Sequence, residues 1–287
     1  MQVATELSYA SFQTVYNVLS FALASMIFTA LFLLISQGRV LPRYRNALVV
    51  SATVCGIAAY HYFRIFDSFR DAYIAGGAGQ PLGADGLGGL TYALVAGDGF
   101  NEGYRYVDWL LTVPLLLFET IAVLALARSD ARSLLNRLIP ASVLMIVLGY
   151  PGEISSDVTA KLVWGTLSTI PFIYILYVLF AELSKSLDRQ PAEVRGSVGR
   201  LRILLIATWG VYPISYLFPV LDSFGLAWFG GEESFVLRQV GYSIADVLAK
   251  CLYGLVIYKI ARLKSFADSA EFAASEGEAP SSEKQAA

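Results

Sequence analysis

Charge is what this 287-residue chain has least of: Asp, Glu, Lys and Arg make up 15% of it, against about 25% in soluble domains. That shortfall excludes a water-soluble catalytic domain of ordinary composition. There is no basic excess either, since 21 Lys and Arg face 23 Asp and Glu. A phosphate backbone would find no electrostatic footprint, and nucleic acid is not an expected partner. The two cysteines, Cys55 and Cys251, lie in apolar runs and act as small hydrophobes rather than as a disulfide framework. A single histidine, His61, and no cysteine cluster leave no ligand set of the zinc type, so no metal is expected. What abounds is apolar: 56% of the residues are hydrophobic and the mean hydropathy is +0.58.

Apolar windows long enough to cross roughly 30 Å of hydrocarbon at about 1.5 Å per residue recur along the chain. Seven are expected, over about Val15–Ser36, Ala47–Phe66, Tyr104–Ala127, Leu134–Tyr150, Ala160–Leu183, Leu201–Leu221 and Phe235–Ile260. No Arg-rich region with a small-residue cleavage site precedes the first, which reads as retained rather than as a signal peptide. The fold class is therefore an all-α membrane protein, a seven-helix bundle over residues 1–265.

Positive charge sorts by loop. Arg39, Arg43 and Arg45 follow the first span, Arg128, Arg132 and Arg137 the third, Lys185, Arg189, Arg195, Arg200 and Arg202 the fifth, and Lys259, Arg262 and Lys264 the seventh. The alternate connections hold mainly Arg70, Lys161 and Arg238. This asymmetry places the N-terminus outside and the C-terminus in the cytoplasm, with the chain in the cell membrane. The Gly-rich connection of about Ser68–Glu102 then lies outside, with a turn at Gln80-Pro81-Leu82-Gly83 and a short β-hairpin expected. The Ala, Ser and Glu-rich tail 266–287 has no apolar period and reads as disordered. No repeat suggests a transporter built of inverted halves.

Ionisable residues inside spans are costly and point to function. The third span carries Arg105, Asp108 and Glu119 with Thr112. At about 100° per residue, Thr112 and Glu119 return to within about 40° and 20° of Asp108, so the three share one stripe. Glu119 lies about 16 Å along the axis from Asp108, among leucines and Phe118, where a neutral acid is favoured over a carboxylate. The seventh span carries Asp246 and Lys250, one turn apart and far from either interface. Such a lysine is paired, neutral or covalently modified. One reading is an ion pair that fixes helix packing; the other is a desolvated amine that condenses with an aldehyde. In the sixth span Trp209, Tyr212 and Tyr216, with Pro213 between them, form an aromatic stripe, and Trp109 and Trp164 add flat surfaces from the third and fifth. Such stripes serve as core packing or, beside a central lysine with two carboxylates, as a slot for a long flat polyene.

These residues also carry a resemblance. Arg105-Tyr106-Val107-Asp108-Trp109-Leu110-Leu111-Thr112-Val113-Pro114-Leu115-Leu116, followed by Glu119, closely resembles the third helix of the microbial (type 1) rhodopsins, in particular the proteorhodopsin and xanthorhodopsin proton pumps. Ala245-Asp246-Val247-Leu248-Ala249-Lys250 is similar to the family's seventh-helix retinal attachment site. The stretch Trp209 to Tyr216 resembles its sixth-helix pocket, and Trp164-Gly165-Thr166-Leu167-Ser168-Thr169 its fifth.

The resemblance implies that Lys250 holds all-trans retinal as a protonated Schiff base. It implies roles for Asp108 as proton acceptor and counterion, Asp246 as second counterion, Thr112 as the middle member of the pump motif and Glu119 as cytoplasmic proton donor. Arg105 is implied one turn outside Asp108, and His61 as the partner of that aspartate. Trp109, Trp164, Trp209, Tyr212, Pro213, Tyr216, Ser168 and Thr169 are implied around the retinal. With the N-terminus outside, the order Asp108 then Glu119 implies an outward, light-driven proton pump and no enzyme in the turnover sense. Gly165 stands where many relatives have Trp; xanthorhodopsin-like members have Gly, which implies an opening for a hydroxylated carotenoid antenna. A small residue for close helix approach explains the same glycine. Val147-Leu148-Gly149-Tyr150-Pro151-Gly152-Glu153 also resembles the xanthorhodopsin branch, and Leu116 matches the tuning position of green-absorbing members. Membrane lipid and other copies of the chain are the implied partners.

The sequence departs from the pattern at one place. Some outward pumps carry a glutamate pair at the outer mouth, but here Arg238 stands where a carboxylate is expected, leaving Glu153, Glu232 and Glu233 as outer carboxylates. Rival readings are a sodium or chloride pump, disfavoured by Asp108, Thr112 and Glu119, a photosensor signalling to a membrane partner, disfavoured by an intact donor, and a receptor or transporter without chromophore.

Overall fold

A backbone placed in hydrocarbon has only itself to hydrogen-bond, and long apolar runs answer with helices. The computed structural model describes residues 4–75, 90–95, 99–123, 126–189, 192–226 and 231–277. Among them stand seven helical rods. The first five are α1 (Tyr9–Ile35), α2 (Pro42–Ala72), α3 (Gly103–Val123), α4 (Arg128–Ile154) and α5 (Val158–Ser186). The sixth joins α6 (Ala192–Trp209) to α7 (Val211–Ser223), and the seventh joins α8 (Gly231–Asp246) to α9 (Tyr253–Asp268) through a π-helical turn at Val247–Leu252. Among the described residues, six of the rods are long and apolar enough to cross a membrane; α3, which carries Arg105, Asp108 and Glu119, is not among them.

Each expected span is present, and most are longer than the apolar windows because the helices continue into the flanking polar residues. Two irregularities have local causes. Pro213 has no N–H to give to the carbonyl of Trp209, and the sixth rod breaks at Gly210 between them. In the seventh rod the N–H of Tyr253 reaches back to Leu248, five residues earlier, so the turn carrying Lys250 is widened.

Polarity is inverted relative to a water-soluble fold. Phe28 is 70% exposed, Tyr177 72% and Ile35 81%, whereas Arg105, Asp108, Glu119, Asp246 and Lys250 are all buried. One end of the bundle is closed by a three-stranded antiparallel sheet in which β3 (Thr91–Leu94) pairs with β2 (Tyr73–Ala75) on one edge and β1 (Glu6–Ser8) on the other. The expected hairpin is thus present with a third strand from the N-terminal segment, while the turn expected at residues 80–83 lies outside the described residues. Phe12 stacks on Tyr92 at 3.8 Å and on Phe69 at 5.1 Å, fastening the sheet to the rods. Ser8 adds a second fastening by donating from N and Oγ to Glu232 Oε1 on α8, at 2.9 and 2.6 Å.

At the opposite end, residues 266–277 depart from the expectation of a disordered tail over 266–287, while residues 278–287 lie outside the described residues. Helix α9 runs to Asp268, and a short helix α10 (Ala270–Ser275) follows, capped by Ser269 Oγ accepting from the Phe272 N–H. Glu276 then meets Arg39 at 3.3 Å and Arg262 at 3.0 Å, and Asp268 bonds to Arg43 and Tyr44. Ala273 is buried and Phe272 packs on Phe266 at 6.3 Å. A polar, Ala-rich stretch gives no apolar period, yet its few anchors find arginines just after the first rod and on the second and seventh.

Candidate functional site

The centre of the site is Lys250, which the π-helical turn sets in the middle of the bundle. Its Nζ donates to Asp108 Oδ2 on α3 at 2.6 Å and to Asp246 Oδ1 one turn earlier at 2.5 Å. All three side chains are at most 2% exposed. A buried ammonium between two carboxylates needs a further positive charge for balance, and Arg105 NH1 stands 3.8 Å from Asp246 Oδ2. The remaining capacity of Asp246 is filled by Tyr62 OH at 2.7 Å, Tyr212 OH at 2.8 Å and Trp109 Nε1 at 3.2 Å.

Asp108 is less completely bonded. Its Oδ1 is buried without a hydrogen bond among the described residues, with His61 Nδ1 at 3.8 Å. The same nitrogen is 2.9 Å from the carbonyl of Ile57, so His61 stands beside the carboxylate at ion-pair range while its hydrogen bond goes to its own helix. Thr112 is fully buried and its hydroxyl likewise donates to a backbone, the Asp108 carbonyl at 2.8 Å.

Glu119 lies further along α3 and is 1% exposed. Its Oε2 accepts from Ser51 Oγ of α2 at 2.6 Å, and its Oε1 has no hydrogen bond among the described residues. Gly254 lets the second and seventh rods close around this pair, since a Cβ there would stand 3.3 Å from the Cβ of Ser51.

A cavity of about 120 Å³ opens from Lys250 toward the fifth and sixth rods. Trp109, Trp209, Tyr212, Pro213 and Tyr216 line it, together with Gly165, Ser168 and Thr169. Trp109 meets Tyr212 edge-on at 5.1 Å, which holds both rings. Trp164 is the exception among the expected residues. It does not line the cavity, because it lies about 100° round the helix from Gly165, and that face meets Gly152, where an added Cβ would stand 3.0 Å from the Cβ of Trp164. Gly165, Thr169, Pro213 and Tyr216 also line a groove on the outer surface of the bundle, about 340 Å³ in volume, beside the exposed Ile170. A Cβ on Gly165 would lie 2.7 Å from Tyr216 Cε1. Close approach of the fifth and sixth rods therefore needs the glycine whatever fills the groove.

Several working residues were not singled out by sequence reasoning. Tyr62 and Gln239 bind Arg105 at 2.9 Å each, and Ser51 holds Glu119. Tyr62 directly follows His61 in an aromatic run and had that signal; Ser51, one small residue among others in α2, had none.

Comparison with known proteins agrees with this architecture. The family of bacteriorhodopsin-like proteins matches residues 12–263. The green-light absorbing proteorhodopsin of Gamma-proteobacterium EBAC31A08 is 29% identical over 239 residues, covering 83% of this chain and 82% of that protein. Archaerhodopsin-2 of Halobacterium sp. (strain aus-2) is 31% identical over 175 residues, 61% of this chain and 63% of its own. Among solved structures, xanthorhodopsin, a light-driven ion pump with dual chromophore, superposes with a TM-score of 0.80 at 42% identity, covering 93% of this chain and 99% of that one. Thermophilic rhodopsin gives 0.81 at 41%, covering 93% and 100%. The chain belongs to the bacteriorhodopsin-like family and is a microbial rhodopsin, a multi-pass protein of the cell membrane.

Proposed function

We propose that this protein is a light-driven outward proton pump. The observation that carries the reading is one buried amine, Lys250, held between Asp108 and Asp246, with a third buried carboxyl, Glu119, on the helix of Asp108 about 16 Å from it. The aromatic cavity that opens from Lys250 fits retinal, with Trp109, Trp209, Tyr212 and Tyr216 as its flat walls. Retinal joined to the Lys250 nitrogen would supply light absorption and a change of shape.

The protein's own groups supply the route. Asp108 Oδ2, 2.6 Å from Lys250 Nζ, is placed to accept a proton from that nitrogen. Asp246, bonded by Tyr62, Tyr212 and Trp109, is stabilised as an anion, which leaves Asp108 as the carboxylate free to change charge. Arg105 supplies the fixed positive charge beside them. Glu119, buried with Ser51 as its one hydrogen-bond donor among the described residues, holds a proton for return to Lys250 from the other side. The loop charges of Lys and Arg orient Glu119 toward the cytoplasm and Asp108 outward, so the proton moves out.

Beside the cavity, the outer groove shared through Gly165 suits a long apolar pigment, and we propose it as the seat of a hydroxylated carotenoid antenna. The pump reading is tested by external pH in illuminated cells supplied with retinal, with and without a protonophore. Acidification abolished by protonophore is the expected result. A coloured protein without pH change favours a photosensor, and alkalinisation enhanced by protonophore means that another ion is carried.

A further inference from the structure

Beside Glu119 lies a pair of buried hydroxyls that the proton route does not use. Thr120, the next residue on α3, gives its hydroxyl proton to the Leu116 carbonyl at 2.6 Å. Its oxygen is therefore the acceptor in the contact with Tyr253, whose hydroxyl stands 2.5 Å away and donates. Thr120 is 1% exposed and Tyr253 2%, and the Tyr253 hydroxyl lies within electrostatic range of Glu119.

Tyr253 is bonded at both of its ends. As the first residue of α9 it sends its N–H to the carbonyls of Leu248 and Lys250, closing the widened turn that carries the amine. Its side chain crosses to the third rod one residue beyond Glu119, while Gly254 lets Ser51 approach from the second. One residue thus joins the turn of Lys250 to the helix of Glu119. Around it the packing is apolar, since Leu116, Leu117, Ala249 and Ile257 share one buried core with Tyr253.

Glu119 lies about 16 Å along α3 from Asp108, the carboxylate that touches Lys250, and its hydrogen bond goes to Ser51. A proton passes between groups about 2.6–3.2 Å apart or joined by a water. Return from Glu119 to Lys250 therefore needs water to enter this apolar stretch. A hydrogen bond between two buried hydroxyls gains strength from its low-dielectric surroundings, and by holding the third and seventh rods together it opposes that entry.

We propose that the Tyr253–Thr120 hydrogen bond is a clasp that times the return of the proton: while it holds, the third and seventh rods stay closed on the Glu119 side of Lys250, and its parting admits the water that carries the proton across. The proposal rests on the donor role given to Glu119 in the pump reading. Tyr253 and Thr120 act through the packing of the two rods and are positioning residues.

The test uses the full chain reconstituted with retinal and flash photolysis, which reads proton loss from Lys250 and proton return to it as separate steps. Tyr253→Phe removes the donating hydroxyl and keeps the ring. Return is expected to be about two- to tenfold faster, the range of one net hydrogen bond, with proton loss to Asp108 unchanged. Thr120→Val is expected to do the same, Thr120→Ser to keep the parent rate, and Tyr253→Phe with Thr120→Val to gain nothing beyond either single variant. If Tyr253→Phe takes up no retinal, Thr120→Val and Thr120→Ser decide alone. A return unchanged in Tyr253→Phe and Thr120→Val, with only a lower bleaching temperature, reduces the pair to packing and overturns the proposal. A slower return makes the hydroxyl a step in the proton's own path and overturns it too. Glu119→Gln tests the foundation separately: return should slow there, and a return as fast as in the parent overturns the donor role of Glu119 and the clasp's part in it. Faster return in Tyr253→Phe, in a parent that acidifies nothing in light, overturns the pump reading and leaves the clasp standing.

Discussion

Lys250 and Asp108 stand 142 positions apart in the chain and meet with Nζ 2.6 Å from Oδ2. The contact joins the π-helical turn of the seventh rod to the polar stripe of α3, and Asp246 closes it from the other side at 2.5 Å. Neither carboxylate reaches water, so the charge of each depends on the others. A proton displaced within this group changes the field at Arg105, and through Gln239 that arginine is linked by hydrogen bonds to Glu102.

Asp108→Asn removes the acceptor and leaves Lys250 with Asp246 alone. Breaking one member of a buried ion pair costs about 3–5 kcal/mol, so the variant should bleach at lower temperature. Its visible band should move to longer wavelength, because the positive charge at the Lys250 nitrogen loses a stabilising anion in the ground state. Light-driven acidification should vanish. Acidification that persists in cells expressing Asp108→Asn would show that another group accepts the proton.

Ser51→Ala tests the donor. The Ser51 hydroxyl donates to Glu119 Oε2 at 2.6 Å and so favours the carboxylate that remains after the proton has gone. Without it, giving up the proton becomes harder. A net hydrogen bond of about 0.5–1.5 kcal/mol converts to a slowing of up to about tenfold in proton return to Lys250. Flash photolysis measures that step, and an unchanged rate in Ser51→Ala would mean that Ser51 only packs against Gly254.

The sequence carried the rods and the inward stripe because hydropathy and helical period act on single segments: Asp108, Thr112 and Glu119 share a face by spacing alone. It did not carry what depends on neighbours. The widened turn at Lys250 has no local signal, since Val247–Leu252 is as helix-compatible as its flanks. Strand β1 exists only because β3 offers it an edge. Trp164 was expected around the cavity as one of a conspicuous set of tryptophans, but a rotation of about 100° relative to Gly165 turns it toward α4. The docking of Glu276 on Arg39 and Arg262 joins segments that composition alone cannot pair.

His61→Asn separates charge from hydrogen bonding. At 3.8 Å from Asp108 Oδ1, and with Nδ1 within hydrogen-bond distance of the Ile57 carbonyl, His61 stands at ion-pair range of Asp108 without a hydrogen bond to it. Asparagine is similar in size and holds no charge at any pH. The acid transition of the visible band should therefore shift along the pH axis in the variant, with the band retained. A superimposable titration would reject a functional His61–Asp108 pair.

Gly165 is where packing and pigment binding make different predictions. An added Cβ would lie 2.7 Å from Tyr216 Cε1, and the Tyr216 hydroxyl is tied to the Lys161 carbonyl at 2.8 Å, so the ring cannot simply turn away. Gly165→Ala should cost about 1–3 kcal/mol by overpacking, read as a lower bleaching temperature, under either reading. Gly165→Trp goes further and fills the groove shared with Thr169, Pro213 and Tyr216. If the groove seats an antenna, a hydroxylated carotenoid added to the parent should transfer excitation to retinal, and the transfer should be lost in Gly165→Trp while the retinal band remains. No transfer in the parent would leave Gly165 as a residue of helix packing, because the steric need for it is already met by Tyr216.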